Sequence, residues 1–126
     1  MPKSVPAITN GPKPIGAYNV AVEAGGLVFI SGQVALDPAT NEKVEGDVGV
    51  QARRVLDNIG LVLGDLGLDF GALVKTTIFL ADIADFPTVN AIYAEYVGDV
   101  PPARSTIEAG ALPGGFLVEI EAIATR

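Results

Sequence analysis

Apolar and polar positions follow three different rhythms along this chain. Residues 1–17 have no period. Pro2, Pro6, Pro12 and Pro14, with Gly11 and Gly16, mark an irregular lead-in. From 18 to 23 the pattern becomes strand-like. Gly25-Gly26 then reads as a tight hairpin turn, followed by a strand at 27–31 that is apolar on both faces. Asp37-Pro38-Ala39-Thr40-Asn41 is a loop by its turn residues. Next comes a helical rhythm. Asp47 is the N-cap, and Val48, Ala52, Val55, Ile59, Val62, Leu63 and Leu66 form one apolar stripe. Gly67 ends the helix in a left-handed conformation. Gly60 and Gly64 weaken it slightly and are expected to permit close packing against a sheet.

The second half repeats the alternation. Residues 74–80 are rich in β-branched and aromatic side chains and predict a strand. Asp85-Phe86-Pro87 opens a second helix, with Pro87 in the first turn, where a missing N–H costs nothing. Val89, Ile92, Tyr93 and Tyr96 form its stripe, and Gly98, Pro101 and Pro102 end it. Strands at 103–108 and 117–124 follow, joined through Leu112-Pro113-Gly114-Gly115. The order β-β-α-β-α-β-β predicts one α+β domain over 1–126, a mixed sheet with two helices on one face. Two helices cover only one sheet face, yet the strands at 27–31, 74–80 and 117–124 are apolar on both. A small domain of this kind is expected to bury its bare face against copies of itself.

Composition narrows the chemistry. The 126 residues contain no His and no Cys. That removes His-based triads, thiol nucleophiles, disulfides and Cys- or His-ligated zinc. The net charge of -7 argues against nucleic acid as a principal partner. No apolar run has the length of a membrane span, and residues 1–6 carry no signal-peptide core, so a cytoplasmic protein is expected.

Two groups stand out. Arg104 is the only cation between Lys75 and Arg126, and it begins a strand after two prolines. Its planar fork suits a carboxylate clamp. The competing possibility is a structural ion pair with Glu108, Glu119 or Glu121. Period two places Glu119 and Glu121 on one face of an apolar strand. A partly buried Glu there could orient or deprotonate water, and a solvated edge strand is the alternative. Tyr18, Ser31-Gly32 and Asn90 are weak signals taken singly, and Lys75 is expected to be an exposed strand lysine.

Pro14-Ile15-Gly16-Ala17-Tyr18, Ile30-Ser31-Gly32-Gln33, Val74-Lys75-Thr76-Thr77 and Asp85-Phe86-Pro87-Thr88-Val89-Asn90 occur in this order, followed by Tyr93. Pro102-Ala103-Arg104-Ser105-Thr106, Leu112-Pro113 and Val118-Glu119-Ile120-Glu121-Ala122-Ile123-Ala124 complete the series. Together they resemble the Rid, or YjgF, family of reactive-intermediate deaminases. The resemblance implies a chorismate-mutase-like fold and a homotrimer with clefts between subunits. It also implies hydrolysis of enamine or imine intermediates, such as 2-aminoacrylate or 2-aminocrotonate, to 2-keto acids and ammonia. These substrates come from pyridoxal-phosphate enzymes, and the deaminase needs no cofactor or metal. By position, Arg104 would bind the substrate carboxylate and Glu119 would activate water. Tyr18, Ser31, Gly32, Asn90 and Thr106 would line the pocket, and Glu121 would be the lesser carboxylate. Thr106 stands where Cys is common, Ala17 where Pro is usual, Asn19-Val20 where a polar pair such as Ser-Gln is usual, and Gly114 where Lys is common. These departures bear on substrate range.

Three functions follow for comparison. An imine deaminase is the leading one. A non-catalytic or regulatory module that binds small carboxylates such as keto acids is the alternative. An endoribonuclease is disfavoured by the acidic charge and the absent His.

Overall fold

The structure is a computed structural model and describes residues 2–126. Five strands form one sheet in the order β1-β2-β5-β3-β4. The strands are β1 (Ala21–Ala24), β2 (Leu27–Gln33), β3 (Leu73–Leu80), β4 (Ala103–Glu108) and β5 (Val118–Thr125). Two helices, α1 (Val48–Asp65) and α2 (Phe86–Val97), lie between β2 and β3 and between β3 and β4 in the chain. Pairing is antiparallel for β1/β2, β2/β5 and β5/β3, and parallel for β3/β4. The sheet is therefore mixed, and the predicted element order holds.

The local signals act as their chemistry dictates. Gly25 and Gly26 have φ of 60° and 78°, the paired positive values of a two-residue hairpin turn. Asp47 accepts a hydrogen bond from the Val50 N–H at 2.9 Å and caps α1. At the other end Gly67 has φ 75°. There the Leu68 and Gly67 N–H groups donate back to Leu63 and Gly64 carbonyls, at 2.8 and 3.0 Å.

Alternation decides what is buried. Val118, Ile120, Ala122 and Ala124 of β5 point into the core with Val28, Ile30, Ile78 and Leu80. Ala52, Val55, Ile59, Val62 and Leu63 of α1 share that core with Val89, Ile92 and Tyr93 of α2. Buried polar side chains tie the loops down. Asn58 donates to the Leu36 carbonyl at 2.8 Å, and Gln51 accepts from the Leu117 N–H at 2.9 Å.

The opposite face has no helix over it. Rows run across it from Val22 through Phe29, Ile123 and Lys75 to Ala103, then Glu121, Thr77 and Ser105, then Glu119, Phe79 and Ile107. Phe29 is 43% exposed and Ile107 49%. Lys75 sits there half-buried, in a shallow depression with Thr77, Glu121, Phe29 and Ile123.

Several expectations change, among them Lys75, which is half-buried and not exposed. Tyr18 does not begin a strand. It lies in a bend, because Ser31 donates from its hydroxyl to the Asn19 carbonyl and from its N–H to the Val20 carbonyl. β2 runs on to Gln33 rather than stopping at Ser31, with an irregular register between Ile30 and Gln33. Gly60 and Gly64 do not pack against the sheet. Gly60 makes room for the Phe70 ring, whose Cε2 would lie 3.3 Å from an added Cβ, and Gly64 faces open space.

The lead-in is anchored at one place. Asp65 accepts from the N–H groups of Thr9, Asn10 and Gly11 at 3.0, 2.8 and 3.2 Å, and from the Asn10 amide at 2.6 Å. Burial raises its pKa, but these bonds outweigh burial and hold it below the ordinary carboxylate value. A depressed folded value stabilises the fold at neutral pH, and that stabilisation is lost as pH falls through it. Asp65→Ala is expected to cost about 1 kcal/mol in urea denaturation at pH 7. The gap from wild type should shrink as the pH is lowered.

Candidate functional site

β4 is an edge strand, and its alternate side chains Arg104 and Thr106 point to the helix side of the sheet. There α2 presents Phe86, Asn90 and Tyr93, spaced i, i+4 and i+7 on one face. Arg104 Nη1 donates to Asn90 Oδ1 at 2.7 Å. The guanidinium carbon lies 5.1 Å from the Tyr93 ring centre and 5.4 Å from that of Phe86. Among the described residues no carboxylate pairs with it. Among the described residues the ion pairs are Arg53–Glu95 and Arg126–Glu23. Glu108, one suspected partner, instead accepts from the Ile83 N–H at 2.9 Å. Arg104 opens onto a cleft of about 600 Å³ with Thr106, Ile83, Ala84, Phe86 and Pro87. Thr106 Oγ1 is buried and has no hydrogen-bond partner.

Glu119 occupies the other face. It lies beside Phe79 and opposite the irregular stretch of β2. Gly32 sits directly against its carboxyl group. A Cβ on Gly32 would collide with Glu119 Oε2 and come within 2.8 Å of its Cδ. Only the absent side chain leaves that space. Glu119 lines a cleft of about 300 Å³ with Tyr18, Ser31, Gly32, Ile15, Val34, Pro113 and Phe116. Burial first, and the neighbouring charge of Glu121 second, raise its pKa above the ordinary carboxyl value. Glu121 shares the sheet face but is exposed.

A turn at Pro113–Gly115 forms one wall of this cleft. Lys43 Nζ donates to the Gly114 and Gly115 carbonyls at 3.0 and 3.2 Å and lies 5.1 Å from the Phe116 ring centre. Gly114 has φ 83°, and an added Cβ would come within 2.7 Å of the Phe116 ring. A side chain at 114 is incompatible with this turn.

The candidate residues therefore divide into two groups. Arg104, Asn90 and Thr106 meet on the helix side at the sheet edge. Tyr18, Ser31, Gly32 and Glu119 meet on the bare side. β3 lies between β4 and β5, so the groups stand about 10 Å apart in strand spacing and on opposite faces. A small molecule cannot touch both within one chain. Phe86 was not singled out as a site residue from the sequence, nor was Tyr93 read as Arg104's neighbour. Their spacing with Asn90 on one helix is the signal that finds them.

Among the described residues no helix is long and apolar enough to cross a membrane.

Comparison with known proteins gives the lineage. The model of the family described as Endoribonuclease L-PSP matches residues 8–126. The protein DfrA of Myxococcus xanthus is 53% identical over 90% of this chain and 88% of its own. The 2-iminobutanoate/2-iminopropanoate deaminase of Mus musculus is 45% identical, covering 98% of this chain and 92% of its own. A solved structure from Yersinia pestis, described as a Rid family protein of unknown function, superposes with TM-score 0.94 at 46% identity over 99% of this chain and 100% of that one. By sequence and by fold, this chain belongs to the endoribonuclease L-PSP family, also called the Rid or YjgF family.

Proposed function

We propose that this protein hydrolyses small 2-imino acids, formed by tautomerisation of enamines, to 2-keto acids and ammonia. The observation that carries the proposal is the Arg104 guanidinium, held by a neutral amide and two aromatic rings, without an acidic partner, at the mouth of a cleft. A cation so placed keeps its charge available for an external carboxylate. The mouse relative's name and the shared family support the same chemistry.

An imine carbon is already electrophilic, so the reaction needs a positioned substrate and a base. Arg104 binds the carboxylate, with the unpartnered Thr106 hydroxyl beside it. Glu119 accepts a proton from water as the water oxygen bonds to the C=N carbon, and the nitrogen takes up a proton. The carbinolamine then collapses: protonated Glu119 gives its proton to the nitrogen, and the C–N bond breaks to release ammonia. C=O forms as the hydroxyl proton passes back to the Glu119 carboxylate, which returns it to solvent in exchange for the proton the imine nitrogen took up. A pKa raised by burial makes the Glu119 carboxylate a stronger base than an ordinary one. Tyr18, Ser31, Gly32 and Asn90 shape the pocket around these groups.

Because the two groups lie on opposite faces, we assign the complete site to a junction between subunits of a homotrimer. The edge carrying Arg104 meets the bare face of the next copy. That arrangement also covers Phe29, Ile123 and Ile107. The substrate would be released by pyridoxal-phosphate enzymes such as amino-acid dehydratases.

The test adds the protein to a serine or threonine dehydratase reaction and follows keto-acid release. Wild type should accelerate it. Arg104→Ala and Glu119→Gln should each lose about 100-fold or more of that acceleration. Retained acceleration in Arg104→Ala would remove the clamp. Glu119→Gln should still bind a keto acid by calorimetry. Equal binding without turnover in the wild type itself would point instead to a binding module. Co-refolding the two inactive variants in equal amounts should restore about a quarter of the wild-type activity, since a quarter of shared sites then hold both native residues. No recovery would place the site within one subunit.

The rate should fall on acidification as Glu119 protonates, at a higher pH than an ordinary carboxyl would give. Glu121→Gln removes a neighbouring negative charge and should move that acid limb to lower pH. An unmoved limb would assign the titration to another group.

A further inference from the structure

Thr76 and Arg104 are register partners on the parallel strands β3 and β4, so their side chains stand side by side on the helix face. Tyr93 descends on them from α2. Its hydroxyl and Thr76 Oγ1 share a 2.6 Å hydrogen bond, with Tyr93 only 3% and Thr76 only 1% exposed. Its ring lies 5.1 Å below the Arg104 guanidinium carbon. Burial raises the Tyr93 phenol above its ordinary pKa, against opposing effects of Thr76 and Arg104, so the hydroxyl stays neutral at neutral pH.

A free arginine side chain samples many rotamers, and ordering it on binding costs affinity. A carboxylate partner would order it but would also compete with an acidic substrate. Aromatic faces order it without neutralising it. Here the ring doing so is itself fixed, because a buried hydroxyl that lost its partner would be left unsatisfied.

We propose that Tyr93 is a positioning residue, locked by Thr76, that presets the Arg104 guanidinium for the substrate carboxylate. It touches no substrate and acts through Arg104. The inference rests on Arg104 being the carboxylate-binding group, as proposed above.

The test measures KM and kcat for the imine in the coupled dehydratase assay. With serine as the dehydratase substrate, so that pyruvate is the product followed, it also measures the inhibition constant of added 2-oxobutanoate, a 2-oxo carboxylate of the product class. The variants are Tyr93→Leu, Tyr93→Phe, Thr76→Val and Arg104→Ala, with circular dichroism on each. Tyr93→Leu should raise KM and the inhibition constant about tenfold while kcat changes less than about twofold. Tyr93→Phe keeps the ring but cuts its tie to Thr76, and should raise both constants about threefold, between wild type and Tyr93→Leu. Thr76→Val should match Tyr93→Phe, since both cut the same hydrogen bond. In an Arg104→Ala background, Tyr93→Leu should add nothing. Should Tyr93→Leu fail to fold, the paired behaviour of Tyr93→Phe and Thr76→Val, each alone and with Arg104→Ala, carries the test. Unchanged constants in folded Tyr93→Leu, or an equal loss without Arg104, would overturn the positioning role and leave the clamp standing. Unchanged constants in Arg104→Ala would remove the clamp and this role together.

Discussion

The molecule is organised around a division within β5. Its even-numbered residues, Val118, Ile120, Ala122 and Ala124, are buried under the helices, and the carboxylates of Glu119 and Glu121 emerge on the other side. Hydrophobic burial sets this register, because a slip by one residue would place two charges in the core. Everything chemical follows from that choice. Glu119 must face away from α1 and α2, and Arg104, on the helix side of β4, must face toward them. A fold with these constraints separates its cation from its base.

The two candidate groups are built by different means. Arg104 is held by side chains of a single helix, so its surroundings are local and rigid. Glu119 depends on gaps: a missing Cβ at Gly32, an irregular strand, and a turn held by Lys43. Both devices let a charge stay partly out of water without a neutralising partner, which normally costs stability. In each case the cost is tolerated where a ligand could supply the missing interaction.

Much of this was readable in the chain, because the signals are short-range. The Asp47 cap, the Gly67 stop and the Gly25-Gly26 turn each act over a few residues. Period-two alternation likewise placed Glu119 and Glu121 on one face. What escaped depended on distant partners. The bend at Tyr18 is set by Ser31, thirteen residues on in the chain, through the carbonyls of Asn19 and Val20. Gly60 serves Phe70, which no periodicity reveals. The choice for Arg104 between an ion pair and an open clamp rested on composition, which cannot tell an acidic neighbour from an aromatic one. Resemblance alone ranked Glu119 above Glu121. The structure adds a physical difference, since one is half-buried in a cleft and the other is exposed.

The sheet order also bears on how the chain is assembled. β2 and β3 are neighbours of β5, not of each other, and β5 is the last strand in sequence. Sheet pairing between the β1/β2 hairpin and the β3/β4 pair therefore runs through β5 alone. Completing the sheet requires β5 to insert between strands that lie far earlier in the chain. Such long-range closure slows folding and prolongs the exposure of unpaired edges. The strand that carries the candidate base is thus also the one that joins the two halves of the sheet.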